Sequence, residues 1–426
     1  MIRKIVVVIV LFVSIVGFSQ KSNTSAYSFF GIGDKNSSST VEQLSMGGVG
    51  VAMGEAYRLN LSNPASYSSL LFTNYTIALE NKNIWAKDSN DKQRASATYL
   101  SYLAMGIPIG EKGGFSFGLL PNTSVGYSLL SKIYDDEEDV IEVTQYEGEG
   151  GTNKVFFGFG YSPFKKLSIG LQGNYVFGNI ENSIINQEKD VALATKYETV
   201  SKIKGFSFNA GFIYKTTINK LNLHVGGNFD LENEIDSEGN EYLYSVSSGA
   251  QGSPRDTILN SQSIGILISP LKTTLGVGLG KQNVWYAGAD FSFQKALEFQ
   301  GDVVNSNLKV AYDSYSRFAI GGFYTPKVNS LTSYWDRVTY RAGIKMEKTG
   351  LLVDASGTGT DFSGIDDFGI SFGVGLPVKN QLSNVNLGFE IGKRGKSEKG
   401  LVQENYVNFR LSLSFSDKWF NKRQIY

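Results

Sequence analysis

The stretch "YVNFRLSLSFS", residues 406–416, alternates between apolar and polar side chains from Val407 to its end. One face carries the apolar side chains Val407, Phe409, Leu411, Leu413 and Phe415. The other face carries the polar side chains Asn408, Arg410, Ser412, Ser414 and Ser416. Because successive side chains of a strand point to opposite faces, this period of two predicts a β-strand with one apolar face.

The same pattern recurs along the chain, for example in "VNLGFEIGKR" (385–394) and "LSIGLQGNYVF" (167–177). We predict fourteen strands, beginning near Thr73, Arg94, Gly113, Thr152, Lys166, Ile203, Lys220, Gln262, Val284, Tyr312, Trp335, Asp366, Leu382 and Val402. Short connections such as "IGEKG" and "VKNQ" alternate with longer polar loops, predicted around 128–151, 181–202, 233–261, 297–313 and 350–365. The connection at 326–334 is longer than the others on the short side.

This organisation is typical of an all-β fold, a transmembrane antiparallel β-barrel with short periplasmic turns and a polar lumen. A closed barrel also explains how so many strands coexist without an exposed sheet edge. A large soluble sandwich also alternates, so it remains the alternative fold.

The composition narrows the function classes. The chain has 426 residues, 40 basic and 40 acidic side chains, one histidine and no cysteine. Zero net charge gives no sign of a nucleic-acid partner, because phosphate backbones are bound by basic faces. The absence of cysteine excludes disulfides, thiolate zinc sites and cysteine catalysis, and we expect neither a metal nor a cofactor.

The first residues resemble an export signal. Arg3 and Lys4 precede the apolar run "IVVVIVLFVSIVGF", which is too short for a membrane span, and cleavage is predicted after Ser19. An anchor helix is the alternative. The predicted organisation is a signal peptide at 1–19, an N-terminal hatch at 20–72, a barrel at 73–416 and a short periplasmic tail at 417–426. The protein is therefore expected in the outer membrane of a Gram-negative cell.

The segment before Thr73 has no strand pattern, and it could hang in the periplasm or fold inside the barrel as a plug. The strands "LGVGLG" (275–280) and "FGISFGVGL" (368–376) place glycine or serine at almost every inward position. Such small residues leave room in the lumen, which a solute or another part of the chain must fill.

Two stretches carry a resemblance to a known family. "QLSMGGVGVAMGEAYRLNLSNPASYSSL" (43–70) resembles the N-terminal hatch of FadL-type outer-membrane long-chain fatty acid transporters, whose Asn-Pro-Ala motif Asn63, Pro64 and Ala65 match. "GGFSFGLLPNTSVGY" (113–127) resembles the family's third strand, where a proline interrupts the wall; Pro121 and Asn122 occupy that place.

The flanking segments "YSFFGIGD" (27–34) and "DKWFNKR" (417–423) resemble a Bacteroidetes-like branch of the family. Members of that branch include transporters and a barrel that serves type IX secretion.

The resemblance implies a mechanism in which a hydrophobic ligand binds in the outer half of the barrel, the hatch moves, and the ligand leaves through a gap in the wall. Asn63, Pro64 and Ala65 would then gate the hatch, and Pro121 with Asn122 would mark the wall opening. Proline cannot donate a ladder hydrogen bond, so Pro121 is expected at a bulge or an opening in the wall. A harmless kink near a strand end is the alternative reading.

In the transporters that this chain resembles, the N-terminus reaches into the lumen near the ligand. Tyr27, Phe29 and Phe30 are therefore candidate ligand contacts, although they could equally anchor the plug. Pro270, in "ILISPLKTT", is a second candidate break in the wall.

Three other motifs suggest chemistry weakly. Gly48-x-Gly50 lacks the preceding strand and spacing of a nucleotide loop, so close packing is the better interpretation. His224 is predicted to face the lumen, which disfavours a lipid-facing hydrolase and any enzyme. The acidic run Asp135–Asp139 could bind calcium, but it lacks the spacing of a dedicated site and is predicted to be a solvated loop.

The leading hypothesis is passive uptake of hydrophobic small molecules such as long-chain fatty acids. The alternative is a non-transporting barrel that acts as a partner or shuttle in protein secretion. The expected partners are outer-membrane lipid, lipopolysaccharide and a hydrophobic ligand, with a secretion partner under the alternative, and the barrel is expected to be a monomer.

Overall fold

The computed structural model describes residues 25–88, 92–247, 256–301, 310–354, 359–378, 383–398 and 400–418. The predicted signal peptide and most of the predicted tail lie outside these residues. The first strands are β1 (Asp34–Lys35), β2 (Thr73–Lys87), β3 (Lys92–Ile109), β4 (Gly113–Tyr134), β5 (Val140–Phe164), β6 (Leu167–Glu188), β7 (Leu193–Ile218), β8 (Leu221–Asp230), β9 (Asn233–Ser247) and β10 (Asp256–Ser269). They are followed by β11 (Lys272–Lys281), β12 (Trp285–Gln294), β13 (Glu298–Gly301), β14 (Val310–Tyr312), β15 (Tyr315–Tyr324), β16 (Thr339–Val353), β17 (Ser363–Pro377), β18 (Asn384–Arg394) and β19 (Gln403–Asp417).

The described strands form one closed antiparallel sheet. β19 pairs with β2 from Gln403–Lys87 to Asp417–Thr73, which joins the two ends of the wall. Four wall strands are interrupted: β8 and β9 both pair with β7, and the pairs β10 with β11, β12 with β13 and β14 with β15 are likewise halves of one wall strand. The wall therefore has fourteen strands in the described residues, which confirms the predicted barrel.

Three predicted loops are largely strand, so that part of the sequence interpretation was wrong. β4 runs on to Tyr134 and β5 begins at Val140, β6 and β7 meet near 190, and β9 and β10 cover most of 233–261. These stretches are rich in polar side chains but also carry exposed apolar ones such as Leu130, Ile133 and Ile258, and their backbones stay paired in the sheet. Backbone pairing does not require an apolar face, so the loss of clear alternation does not mark the end of a strand.

The outer face carries the apolar side chains. On β5, Val155, Phe157, Phe159 and Tyr161 are exposed on the outside of the wall. Within the described residues, no helix has the length and apolar character to cross a membrane.

Residues 25–72 pack against the inner face of the wall and are called the N-terminal segment below. It contains a one-turn helix, α1 (Val41–Leu44), and 3-10 helices at Ala26–Phe29 and Pro64–Ser69; a third 3-10 helix, Trp335–Arg337, precedes β16. The Thr40 side chain and Gln43 form a capping box that satisfies the first free N–H groups of α1. Val41 and Tyr67 of this segment are fully buried and share a core with Tyr102 and Phe156 of the wall.

Candidate functional site

Asn63 joins the N-terminal segment to the wall. Its side-chain oxygen accepts a hydrogen bond from the Ala65 N–H at 3.0 Å and so caps the 3-10 helix Pro64–Ser69. Its amide nitrogen donates to the Val51 carbonyl at 2.7 Å and to two wall carbonyls, Phe212 on β7 and Gly227 on β8, each at 3.1 Å. Pro64 occupies a helix start, where its missing N–H is not needed.

The lower part of the segment sits against a ring of wall glycines, the glycine collar. A Cβ at any of these positions would contact a residue between Val41 and Ser68: Gly114, Gly158, Gly160, Gly170, Gly211, Gly226, Gly276, Gly321, Gly343, Gly373 and Gly388. At Gly160 the added carbon would lie 2.6 Å from the Pro64 carbonyl oxygen and 2.8 Å from the Ser68 nitrogen. The room left by small inward residues is thus filled by the chain itself.

The glycine-rich loop at 47–51 binds a carboxylate of the wall. The N–H groups of Gly50 and Val51 donate to Asp290 Oδ2 at 2.8 and 3.0 Å, while Arg317 donates to the Gly47 carbonyl. Adjacent backbone N–H groups form a small anion-binding concavity, and here β12 supplies the anion.

The first residues of the segment, 25–36, are called its upper part, and charged groups hold them to the wall. The Asp34 carboxylate pairs with Arg394 at 2.9 Å and lies 3.8 Å from Lys82. The Glu404 carboxylate accepts hydrogen bonds from Ser25 Oγ and from the Ala26 N–H, both at 2.8 Å. These contacts connect the segment to β2, β18 and β19.

A chain of ion pairs continues along the wall from there. Arg410 bridges Glu80 at 3.0 Å and Glu390 at 2.6 Å, and Lys345 bridges Glu390 at 2.8 Å and Asp367 at 3.3 Å. We call these charged groups together the charged layer: Asp34, Glu80, Lys82, Lys345, Asp367, Glu390, Arg394, Glu404 and Arg410. Its charges alternate in sign, which stabilises them against the loss of bulk water.

The predicted ligand contacts lie together in this upper part. The Tyr27 hydroxyl donates to the Val402 carbonyl, and the Arg394 guanidinium lies 5.1 Å from the centre of its ring. Phe29 makes edge contacts with the rings of Phe30, Tyr127 and Tyr146 at 5.2, 5.0 and 6.0 Å. Tyr27 and Phe30 line the lumen cavity, while Phe29 packs into a buried cluster.

Pro121 and Asn122 lie where the wall changes partner. β3 and β4 pair from Ile109–Gly113 up to Leu103–Leu119, and no pairing of these two strands is found above that point in the described residues. Against β5, the register shifts between Pro121 and Thr123. Just above, β1 takes the edge of β4, with Asp34 opposite Ser124 and the Asn36 N–H donating to the Asn122 carbonyl at 2.9 Å.

Pro270 also interrupts a wall strand, between β10 and β11. His224 faces inward as predicted, with its ring edge-on to Tyr286 at 6.0 Å. In the loop at 135–139, the Asp135 carboxylate accepts hydrogen bonds from the N–H groups of Glu137 and Asp139, and Lys189 pairs with Asp139 at 2.8 Å.

A cavity of about 470 Å³ lies between the N-terminal segment and the wall. Each carboxylate of its lining already accepts a hydrogen bond or an ion pair: Asp34, Glu80, Asp230, Asp290, Asp313, Glu347, Asp367, Glu390 and Glu404. Aromatic and aliphatic groups such as Phe299 and Leu267 line other parts. A site for a hydrophobic ligand is expected to be an apolar pocket, whereas the lining of this cavity is mixed and strongly charged.

Sequence reasoning found the inward polar faces but not the charged layer. Glu390 and Arg410 stand on predicted inward faces, and that was the available signal. Which strands bring them together depends on the barrel's register, which alternation does not specify.

The barrel was compared with known proteins. The model of the BamG family matches residues 1–426. The chain belongs to the BamG family. A search of curated protein sequences finds no match for it.

Among solved structures, this BamG-family barrel is similar to FadL-type channels. A Pseudomonas aeruginosa FadL homologue has 11% sequence identity and a TM-score of 0.60, over 90% of this chain and 99% of that one. The Pseudomonas putida toluene transporter TodX has 16% identity and a TM-score of 0.58, over 92% and 100%. The Ralstonia pickettii toluene transporter TbuX has 13% identity and a TM-score of 0.56, over 92% and 99%. At these identities the comparison establishes a FadL-like fold.

Proposed function

We propose that this barrel is a non-conducting outer-membrane subunit that serves as a partner in a larger membrane protein assembly, for example one that handles exported proteins. The observation that carries the proposal is the double fastening of the N-terminal segment. Glycine packing and Asn63 hold its lower part, and ion pairs hold its upper part. A segment that is held at both parts is expected of a barrel that acts by surface contact with partner proteins and does not conduct solutes.

The mixed lining of the cavity supports the same function. Charged groups keep their water or their ion pairs, so transfer of an apolar solute past them gains little from the hydrophobic effect. The exposed apolar outer face and the FadL-like fold support placement in an outer membrane, spanned by strands, after export by the N-terminal signal.

The tall side of the barrel offers a surface for a partner. β4 to β7 are the longest strands and, with β9 and β10, form the tall side, whose strand ends carry the ion pair of Lys204 with Glu238 at 2.8 Å and exposed apolar side chains such as Leu130 and Ile258. A sheet that projects past the membrane is accessible to other proteins at the cell surface.

A second candidate function is passive uptake of hydrophobic small molecules, with fatty acids as one substrate class. The change of partner at Pro121 and Asn122 favours it, because a site where β3 leaves β4 is a place for lateral exit. In this reading, Asn63, Pro64 and Ala65 gate the segment, and Tyr27 and Phe30 touch the ligand.

A disulfide that fixes the N-terminal segment to the wall can distinguish the two functions experimentally. The Val41 Cγ1 atom lies 3.2 Å from the position of a Cβ at residue 388, and the chain has no cysteine of its own. The double variant Val41→Cys, Gly388→Cys is therefore expected to form a disulfide between segment and wall.

In a strain that lacks the gene for this barrel, the locked variant should restore whatever growth or export defect the wild-type protein restores. Under oxidising conditions it should copurify with the same large partner. The two single-cysteine variants are the controls. Loss of toluene or fatty-acid uptake by the locked variant, with recovery after reduction and no stable partner, would establish the channel and refute the partner function.

A further inference from the structure

The basic groups that line the cavity fall into two classes. Arg394, Arg410 and Lys345 are paired with carboxylates in the charged layer. Lys35 on β1, Lys154 on β5 and Lys272 on β11 line the same cavity, and no ion pair within 4 Å is found for them among the described residues. They therefore carry positive charge that the wall does not neutralise by direct contact.

The contacts of these three lysines are with neutral groups. Lys154 Nζ donates to Ser38 Oγ at 2.6 Å, and Lys35 Nζ lies 3.4 Å from Gln294 Oε1. Lys272 Nζ stands 4.7 Å above the ring of Tyr315. A hydroxyl, an amide and an aromatic face orient an ammonium group without cancelling its charge.

The three ammonium groups act on one another across the cavity. Lys35 Nζ lies 3.4 Å from Gln294, the residue opposite Lys272 in the β11–β12 ladder, and Lys154 bonds Ser38, three residues after Lys35. Asp230 stands opposite Lys272 in the β8–β11 ladder. Asp230 already accepts hydrogen bonds from the side-chain amides of Asn209 and Asn228. Glu347, which lies 3.8 Å from Arg317, also acts on Lys35 and Lys272, so the three ammonium groups face two carboxylates that already have partners. Positive charge that remains inside a low-dielectric wall attracts an anion strongly.

We propose that Lys35, Lys154 and Lys272 form an anion-binding site in the lumen, which takes a phosphate or carboxylate group. Lysine is a strong point-charge donor to phosphate, and each of three such donors in one cavity can bond an oxygen of a phosphate group. The cavity volume suffices for such a group. Pro121 and Asn122 line the same cavity, so an anionic lipid headgroup and a free anion are both possible sources.

The test uses the full-length barrel in detergent, with heat-modifiable gel migration as the measure of unfolding temperature. Sodium phosphate, compared with sodium chloride at equal ionic strength, is expected to raise that temperature for the wild type. Each variant Lys35→Gln, Lys154→Gln or Lys272→Gln should weaken phosphate binding by about tenfold or more, since it removes one hydrogen bond to a charged group. Lys154→Arg should retain binding.

The matched controls are the single variants Lys112→Gln, Lys166→Gln and Lys281→Gln, each of which removes one charge from an exposed position in or beside a short turn. They should bind phosphate as the wild type does. A wild-type barrel that responds to neither phosphate nor decanoate would overturn the proposal, as would equal losses in the control and the cavity variants.

Further arms identify the source of the anion. Stabilisation by decanoate alone would identify an amphiphilic carboxylate, and stabilisation by phosphate would support the site with either source. Native mass spectrometry of protein from cell membranes then distinguishes them, because a lipid headgroup brings its whole lipid mass and a free anion does not. Neither outcome depends on the proposed partner function, since binding is measured on the isolated barrel.

Discussion

The glycine collar and the charged layer hold the same N-terminal segment by different physical means. In the collar, the absence of side chains lets two backbones come into contact, as at Gly160 and Pro64. In the charged layer, long side chains of the wall reach the segment, as Arg394 does to Asp34. Backbone packing is short-ranged and intolerant of added volume, whereas ion pairs that border a cavity act over a longer range and are partly screened by salt.

The difference suggests a division of roles. The collar sets the position of the segment and the charged layer sets how firmly its upper end stays in place. If the segment ever moves, the upper end is the part whose contacts re-form most easily, because charges attract from a distance and close-packed backbones do not.

The largest effect is expected from a single methyl group in the collar. A Cβ at position 170 would overlap the Pro64 carbonyl carbon and the Ala65 nitrogen, which are backbone atoms fixed by the 3-10 helix. Gly170→Ala should therefore destabilise docking of the segment by about 3 kcal/mol, the upper end for overpacking. Limited proteolysis of the segment and the gel-shift temperature measure it.

Gly173 provides the control on the same strand. A Cβ there would meet only the Phe208 ring, at 3.5 Å, an ordinary contact. Gly173→Ala should leave both measurements unchanged. Equal behaviour of the two variants would mean that the segment does not rest on the collar.

A smaller effect is expected at Asn63, which joins the collar by hydrogen bonds. Asn63→Ala removes a helix cap and leaves the buried carbonyls of Phe212 and Gly227 without this donor. We expect a loss of about 2 kcal/mol, from roughly 1 kcal/mol for the cap and a similar amount for the carbonyls. Asn63→Asp keeps an acceptor for the Ala65 N–H, but it turns a buried carboxylate oxygen towards the carbonyls of Val51, Phe212 and Gly227, so it should be at least as destabilising as Asn63→Ala.

The same variants bear on gating. If Asn63→Ala, with or without Pro64→Ala, changes permeability more than barrel stability, the motif gates a channel. Loss of assembly with normal permeability per barrel would make the motif structural.

The collar and the charged layer also differ in how far the sequence foretells them. Alternation predicts the inward face of each strand, and the glycines of 275–280 and 368–376 show that something must fill the lumen. Asn63, Pro64 and Ala65 are recognisable by their resemblance to the hatch motif, but the bonds from Asn63 to Phe212 and Gly227 are not visible in the sequence. The sequence shows Pro121 as a break in its strand. It does not show that β1 pairs with the edge of β4 at that point.

The charged layer escapes such reasoning for a physical reason. Asp34 and Arg394, or Glu80 and Arg410, are far apart in sequence, and their meeting depends on closure of the barrel between β19 and β2. The lysines of the cavity share this property, since β1, β5 and β11 are not neighbours in the sheet. The polar strand ends were mistaken for loops because polarity reports the solvent, not the backbone pairing.

The smallest effect is expected in the charged layer, at Arg394. Arg394→Gln removes both ion pairs that the guanidinium makes to Asp34, but Lys82, 3.8 Å away, remains to compensate that carboxylate. The expected loss is about 1.5 kcal/mol at low salt, the lower end for a hydrogen bond to a charged group. Release of the upper segment to protease measures it, with Lys393→Gln, on the same strand, as the matched control.

Because screening weakens the wild-type pair, the difference between wild type and variant should shrink as salt is raised. The Gly170→Ala defect should not respond to salt, since steric overlap is not screened. An Arg394→Gln defect that is independent of salt would mean that the guanidinium acts by packing, over the ring of Tyr27, and would remove the distinction between the two layers.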